Sequence, residues 1–593
     1  MSSSADTLVL GASGFVGRAL VAELLRRGRR VAAAVRGSAE PLVEALARAG
    51  ADTGALTVVR VDLTRPGLGL APDALPAVRD VYNCAARFAF GLGADEARAV
   101  NVTGAVNAVE WTAARPAPRR LVHLSGYRVG APGGEEDYDR LGAYEASKRE
   151  GDAAVRRRAA ELGVPLTVAN PASVVGPGQY IGLASLVDDL WHGRMPAVPG
   201  TPATFLPVVA LDHVARFLAA LPEDPDAAGR DYWILDDSTP ELPALLRLVA
   251  EHTGVRAPRR HVPVPLLRRL PRALTGADPE TFSFLSADRY PTGPADAFAR
   301  SHGLAAPPVG EVLRTWADHL VATRFGRGVA PAGPYGYQGV AGSRTWIAGD
   351  RRMPAHVLLH GLPLDAESWT PVSARLGAPT LAADLPGLGR SGPADTDLEH
   401  WLTELLEPVT SRPLLTAHSL ACGPAVRYAR RHPERIGGLV LVAPAFLQDA
   451  PRRWVRDLMT PMALRRVSAA RLASRLGVPA GPALDSAAAA LHRPGTARRT
   501  MAALRAGRRQ QGALRRELAG VRVPVTVVTG AADPLACGLP AAGGAVHLTV
   551  PGAGHYPQLT HPEEVARILL DASGAPAPGA PARRTGRDPE HTP

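Results

Sequence analysis

The sequence predicts an α/β protein built from two consecutive blocks, the first organised around a doubly wound parallel sheet and the second a further alternation of strands and helices interrupted by a helical insertion. Three observations carry that expectation. A short apolar run at residues 7–10 passes through Gly11, Gly14 and Gly17 straight into a helical pattern over 15–27. Strand-like and helix-like stretches alternate to about residue 150, and again from about 340 onward, as parallel sheets with crossover helices require. In the second block, Ser419 stands between an apolar strand and a helical pattern, in LLTAHSLACG.

In the first block, strands are expected at 31–35, 57–61, 81–85, 121–125 and 166–170, with helices near 211–221 and 240–253. The stretch GRGVAPAGPYGYQGVAGS is rich in Gly and Pro, so 324–340 is expected to link a domain at 1–323 to one at 341–573. The second block carries strands at 357–359, 380–383, 414–417, 438–442, 525–529 and 546–550. An Arg- and Ala-rich helical insertion at about 446–520 interrupts it and is expected to form a lid. The composition of 574–593 predicts a disordered tail.

A chain of 593 residues exceeds one ordinary core, and 46% hydrophobic with 21% charged residues is a globular balance. No apolar run reaches membrane-spanning length, and MSSSADTLVL lacks a basic segment and a cleavage site, so a cytoplasmic protein is expected. The three cysteines, Cys84, Cys422 and Cys537, have neither disulfide-framework nor metal-site spacing, and no metal is expected. The formal charge is +11. Its arginines are scattered over polar helix faces without interleaved aromatics, which argues against a nucleic-acid partner. The expected partner is a small-molecule substrate, with a homo-oligomer left open.

The glycine turn has a chemical reason. Side chains there would keep the backbone from a pyrophosphate, and the following helix aims free N–H groups and its positive end at that phosphate. Gly11, Ser13, Gly14, Phe15, Val16 and Gly17 are therefore candidate cofactor contacts. Ala85 and Ala86 close the fourth strand with small side chains where a cofactor must lie flat, and Asp62 and Leu63 follow the third, where an adenine edge is read. Tyr144 and Lys148 are four apart and share a helix face. A nearby ammonium is expected to lower the tyrosine pKa, giving a proton donor and acceptor for a carbonyl or alcohol.

With GASGFVG, DL at 62, NCAA at 83, NVTG at 101, LVHLSG at 121, YEASK at 144, PASVVGPG at 171 and PVVALDHVA at 207, residues 5–323 resemble the extended short-chain dehydrogenase/reductase family. The resemblance implies a Rossmann-type domain with a small substrate-binding region, a nicotinamide cofactor, and a Tyr144–Lys148 catalytic pair. It adds Asn101 and Pro171 to the cofactor contacts. NAD-preferring members usually end strand two with an acidic residue; Arg36 stands here and suits the 2′-phosphate of NADP, NAD remaining possible. The family places a Ser or Thr after strand five, where this chain has Gly126 with Ser125 just before it. Ser125 is thus the candidate hydroxyl donor. The same family includes epimerases and dehydratases, and loss of the donor would suit an inactive binding module.

In the second block, Asp533 follows a later strand in VTGAADP and His555 lies in PGAGHYP after the last one. Ser, Asp and His in that chain order, with HG at 360, DLPGLGRS at 384, AHSLA at 417, GAADP at 530 and GAGH at 552, resemble the α/β-hydrolase superfamily over about 340–573. Ala417 and Ala421 replace the usual elbow glycines. The resemblance implies Ser419 as nucleophile, His555 as base, Asp533 as its orienting acid, and an oxyanion hole from the N–H groups of Leu362 and Leu420. A serine nucleophile fits cleavage of an ester, thioester or lactone. The whole reads as a bifunctional oxidoreductase and hydrolase, with an acyl or polyketide-like substrate suggested by the fusion.

Overall fold

The computed structural model describes residues 5–87, 92–129, 138–269, 284–448, 460–535 and 544–574. The chain divides into two compact units. One comprises Met1–Val187, Met195–Val249 and Ala257–Ala317; the other Asp188–Arg194, Ala250–Arg256 and Asp318–Pro593. Among the described residues, no helix is long and apolar enough to cross a membrane.

Strands of the first unit are β1 (Thr7–Leu10), β2 (Val31–Val35), β3 (Leu56–Arg60), β4 (Asp80–Asn83), β5 (Arg120–Leu124), β6 (Leu166–Pro171), β7 (Ser173–Val175), β8 (Val198–Pro199), β9 (Val208–Ala210), β10 (Asp231–Ile234) and β11 (His261–Val262). Seven form one parallel sheet in the order β10-β6-β5-β4-β1-β2-β3. β1, β2 and β5 are buried along their whole length, which is why they read as unbroken apolar runs. The order reverses at β1, which pairs with β2 on one side and β4 on the other. A crevice opens at such a switch point, beyond the strand ends, and this is where ligands bind in open α/β sheets. The fourth strand stops at Asn83 rather than Ala85. The backbone leaves the sheet there to line that crevice.

The second unit contributes β12 (Tyr335–Val340), β13 (Ser343–Gly349), β14 (His356–Leu359), β15 (Thr380–Ala383), β16 (Leu414–His418), β17 (Gly438–Val442), β18 (Val525–Gly530) and β19 (Val546–Val550). They form one sheet in the order β12-β13-β15-β14-β16-β17-β18-β19, antiparallel over its first three strands and parallel beyond. Within the stretch 324–340, expected from its Gly and Pro content to link the two domains, residues 335–340 form the edge strand β12. Its two tyrosines decide this against the glycines: the rings of Tyr335 and Tyr337 lie 6.1 and 5.1 Å from that of Trp346. Gly336, at φ +147°, passes where a Cβ would stand 2.4 Å from the Asp318 carboxylate.

Among the described residues, five α-helices, Pro461–Arg465, Ala469–Leu476, Pro482–His492, Thr496–Arg509 and Gln511–Leu518, lie between β17 and β18. They occupy the stretch where a lid insertion was expected. The tail expected from 574 onward lies outside the described residues except for Gly574.

Candidate active sites

β1 delivers the chain to Gly11 at φ +74°, where a Cβ would stand 2.8 Å from the Ala85 backbone. A Cβ on Gly17 would stand 2.1 Å from the Gly11 carbonyl oxygen. Both glycines are therefore fixed by close backbone approach, and the turn hugs the end of β4. Gly14 caps the helix Phe15–Arg26 with no side-chain hydrogen bond, so the helix start is left open to an anionic ligand. This bare cradle at the switch point fits the pyrophosphate of a dinucleotide.

The helix Ala143–Leu162 carries both Tyr144 and Lys148. Together with Ser125, Gly126, Phe15 and Pro171 they line a cavity of about 400 Å³. The Lys148 ammonium donates to the Leu124 carbonyl at 2.8 Å. Burial lowers its pKa to about 8, against the opposing pull of Asp152 and Cys84. The expected lowering of the tyrosine does not occur. Burial, with Glu145 beside it, pushes the Tyr144 hydroxyl up to about 12. Desolvation of the phenolate exceeds any help from Lys148, whose charge is turned to a backbone carbonyl.

The Ser125 hydroxyl is buried in this cavity with no hydrogen-bond partner among the described residues, as a donor awaiting a substrate oxygen would be. Gly126 next to it leaves room: a Cβ there would meet nothing nearer than Val129 at 3.7 Å. Asn101 sits on a π-helical turn, Ala99–Thr103. Its amide donates to Ser147 at 2.9 Å, and its side-chain oxygen accepts the Arg87 N–H at 2.8 Å. It thus ties the Tyr–Lys helix to the segment after β4 and works as a brace beneath the site. Arg36 is exposed directly after β2. Asp62 accepts the N–H and hydroxyl of Thr64 at 3.0 and 2.7 Å, which hold its carboxyl below the usual range, and Leu63 accepts from Asn107 at 2.7 Å.

In the second unit, β16 ends at His418 and the chain turns sharply. Ser419 takes φ +52°, a strained value for a serine, before the turn Ser419–Ala421 and the helix Cys422–Arg431. The strain aims the hydroxyl away from the sheet. The His555 Nε2 stands 3.1 Å from the Ser419 Oγ, and its Nδ1 stands 3.0 Å from the Asp533 Oδ2. The carboxylate fixes the tautomer: Nδ1 carries the proton, so Nε2 is free to accept one. Asp533 also accepts the Leu535 N–H at 2.9 Å. Leu362 follows the end of β14, and Leu420 follows the serine.

Two further residues support the triad, His418 from within the AHSLA stretch and Gln448 from outside any motif. His418, buried, bonds through Nε2 to the His555 carbonyl at 2.8 Å and steadies that loop. Gln448 donates to Asp533 at 3.0 Å and lies equally near the His555 Nδ1. It falls in VAPAFLQD, where no motif distinguishes it from ordinary loop sequence.

The model of the NAD dependent epimerase/dehydratase family matches residues 7–230, and that of the Alpha/beta hydrolase family matches 357–568. Sterol demethylase protein B of Methylococcus capsulatus is 30% identical over 279 residues, covering 44% of this chain and 79% of that protein. The pimeloyl-[acyl-carrier protein] methyl ester esterase of Edwardsiella ictaluri is 30% identical over 243 residues, covering 36% of this chain and 91% of the esterase. Against the esterase of the same name from Shewanella woodyi, the chain spans 40% of the relative's length. Among solved structures, the terminal R domain from the myxalamid PKS-NRPS pathway superposes with a TM-score of 0.45 at 20% identity, covering 56% of this chain and 94% of that domain.

Proposed function

We propose, on the premise that this chain belongs to the NAD-dependent epimerase/dehydratase family in its N-terminal part and to the alpha/beta hydrolase family in its C-terminal part, that it is a bifunctional enzyme. One part is an NADP-dependent oxidoreductase acting on a carbonyl or hydroxyl group. The other is a serine hydrolase cleaving an ester, thioester or lactone. The observation that carries the hydrolase is the hydrogen-bonded chain Ser419–His555–Asp533, with the serine held at φ +52°.

In the reductase, the dinucleotide supplies or accepts the hydride. The protein does the rest. The Tyr144 hydroxyl, still protonated at neutral pH, gives its proton to the carbonyl oxygen. Lys148 is placed to hold the ribose hydroxyls, and Ser125 to hydrogen-bond the substrate oxygen. The bare turn at Gly11–Gly17 receives the pyrophosphate, and Arg36 the 2′-phosphate. The cavity beyond Tyr144 is walled largely by apolar side chains, among them Val174, Leu186, Leu206 and Trp316, which supports an acyl or polyketide-like substrate.

In the hydrolase, the Ser419 Oγ attacks the acyl carbon as the His555 Nε2 takes its proton. The imidazolium returns that proton to the leaving alcohol or thiol, and water then releases the acyl group by the same steps. Asp533 orients the imidazole throughout. The N–H groups of Leu362 and Leu420 are the proposed donors to the oxyanion.

A serine-directed fluorophosphonate tests the hydrolase. It should label the full-length protein at Ser419, with labelling lost in Ser419→Ala and slowed at least about a thousandfold in His555→Ala. Carbonyl reduction should persist in both variants. Undiminished labelling in Ser419→Ala would overturn the assignment.

A further inference from the structure

The Asp533–His555 pair has a third member, and its position follows from a short run of backbone. β17 ends at Val442, and Ala443 then takes φ +45°, unusual for an alanine. The turn Ala445–Leu447 follows, and Gln448 comes next, buried. Its Nε2 lies 3.0 Å from the Asp533 Oδ2, 3.0 Å from the His555 Nδ1 and 3.4 Å from the Ala443 carbonyl oxygen.

The orientation of the amide follows from these partners. Flipped, its oxygen would face two oxygens, the Asp533 carboxylate and the Ala443 carbonyl. With the nitrogen there, its two hydrogens meet two acceptors. The Asp533 Oδ2 therefore receives two donors, the His555 Nδ1–H and the Gln448 N–H.

Gln448 is also tied to the helical insertion. The last insertion helix, Gln511–Leu518, holds the preceding turn from above. The Gln511 amide donates to the Ala445 carbonyl at 3.1 Å, and the Arg515 Nε to the Phe446 carbonyl at 2.9 Å. An unbroken line of hydrogen bonds and one short turn runs from this helix to the base that activates Ser419.

We propose that Gln448 is a positioning residue of the hydrolase site: it acts through Asp533 and His555, and the last helix of the insertion holds it in place. The proposal rests on the serine-hydrolase reading above. The Gln448 N–H shares the Asp533 carboxylate with the imidazole and holds it where it fixes the His555 tautomer, with Nε2 free to accept the serine proton. A variant without that N–H leaves the carboxylate to the imidazole alone, which favours the imidazolium. Among the described residues, the other titratable groups against His555 are His418 and Tyr556, with ring centroids 5.2 and 4.9 Å away. Burial holds His418 well below the usual histidine range and Tyr556 above the usual phenol range, so neither changes charge across the working range.

The test uses the full chain and the rate of fluorophosphonate labelling at Ser419 as a function of pH. Gln448→Met keeps the volume and removes the donor. Labelling should slow about tenfold, as loss of a hydrogen bond to a charged group implies. Its acid limb should move up by about half a pH unit. Gln448→Glu should move the limb further in the same direction, because a second carboxylate favours the imidazolium. Arg515→Met, remote from the reacting atoms, should move it the same way by less. A limb that stays in place in both Gln448 variants would overturn the proposal and leave Gln448 a packing residue. Failure of the unaltered protein to label at Ser419 would instead overturn the serine-hydrolase reading itself, and the proposal with it.

Discussion

Gly361 and Ser419 meet so closely that a Cβ on the glycine would stand 2.7 Å from the serine Cβ, and 2.5 Å from the His418 Nδ1. The loop leaving β14 therefore passes directly against Ser419, and only a glycine lets it. Leu362 is the next residue, so the same contact sets where its N–H lies. The positive φ of Ser419 and the missing side chain of Gly361 occur where these two segments of backbone pass closest.

Gly361→Ala should accordingly fold and bind nucleotide but lose hydrolase function. The added methyl must push the loop off the serine, taking the Leu362 N–H with it. Loss of one oxyanion donor costs about a hundredfold or more in kcat. Ester turnover should fall by that order while KM changes little. A variant with unchanged kcat would place the oxyanion donor elsewhere.

The pH dependence of the reductase follows from two opposed shifts. Burial holds Tyr144 up at about 12 and Lys148 down at about 8. The tyrosine therefore stays protonated through the neutral range, as the proposed proton donor must. The lysine loses its charge as pH rises through about 8, and with it the proposed charge-assisted hold on the ribose hydroxyls. Carbonyl reduction should be level below that point and decline above it. Alcohol oxidation, which needs the phenolate, should keep rising well past it. Tyr144→Phe should abolish both directions yet bind nucleotide as before. A reduction rate that climbs steadily to pH 10 would contradict this assignment of the proton donor.

How much of this was legible in the sequence depended on range. The glycine turn, the Tyr–Lys helix and the Ser419 elbow are local patterns, and local patterns survive in sequence. The direction of the Tyr144 shift was not legible. Spacing alone puts an ammonium one helical turn away, but the outcome depends on burial and on the Leu124 carbonyl, which β5 brings from elsewhere in the chain. Gln448 was hidden for the same reason, since its meaning comes from Asp533 and His555, both more than eighty residues away. The strand β12 was missed because glycines mask it, while the aromatic packing that stabilises it involves Trp346 across a turn.

The proposed preference for NADP rests on Arg36. It is exposed at the end of β2, and among the described residues it makes no ion pair of its own. Asp62, whose carboxylate feels its charge, is already engaged by Thr64 and by Arg65 at 3.3 Å. The guanidinium thus remains available to a phosphate. Titration should show tighter binding of NADPH than of NADH. Arg36→Ala should weaken NADPH by about tenfold, the worth of one charge-assisted contact, and leave NADH nearly unchanged. Equal affinities in the unaltered protein would remove the basis for assigning NADP.

Gly126 offers the sharpest separation between an active reductase and a nucleotide-binding module. It stands where the reductase family carries its hydroxyl donor, and Ser125 next to it has a buried hydroxyl without a partner among the described residues. A Cβ at Gly126 would meet only Val129, at the ordinary contact distance of 3.7 Å. A serine side chain therefore fits without strain, and Gly126→Ser should fold with unaltered thermal stability. If Ser125 already polarises the substrate oxygen, Ser125→Ala should cut carbonyl reduction by about tenfold or more, and Gly126→Ser should restore activity in that background. If Ser125 takes no part, Ser125→Ala will reduce at the normal rate and the donor lies elsewhere in the cavity. A protein that binds NADPH but reduces nothing, and gains turnover only with Gly126→Ser, would show the binding module to be the right reading.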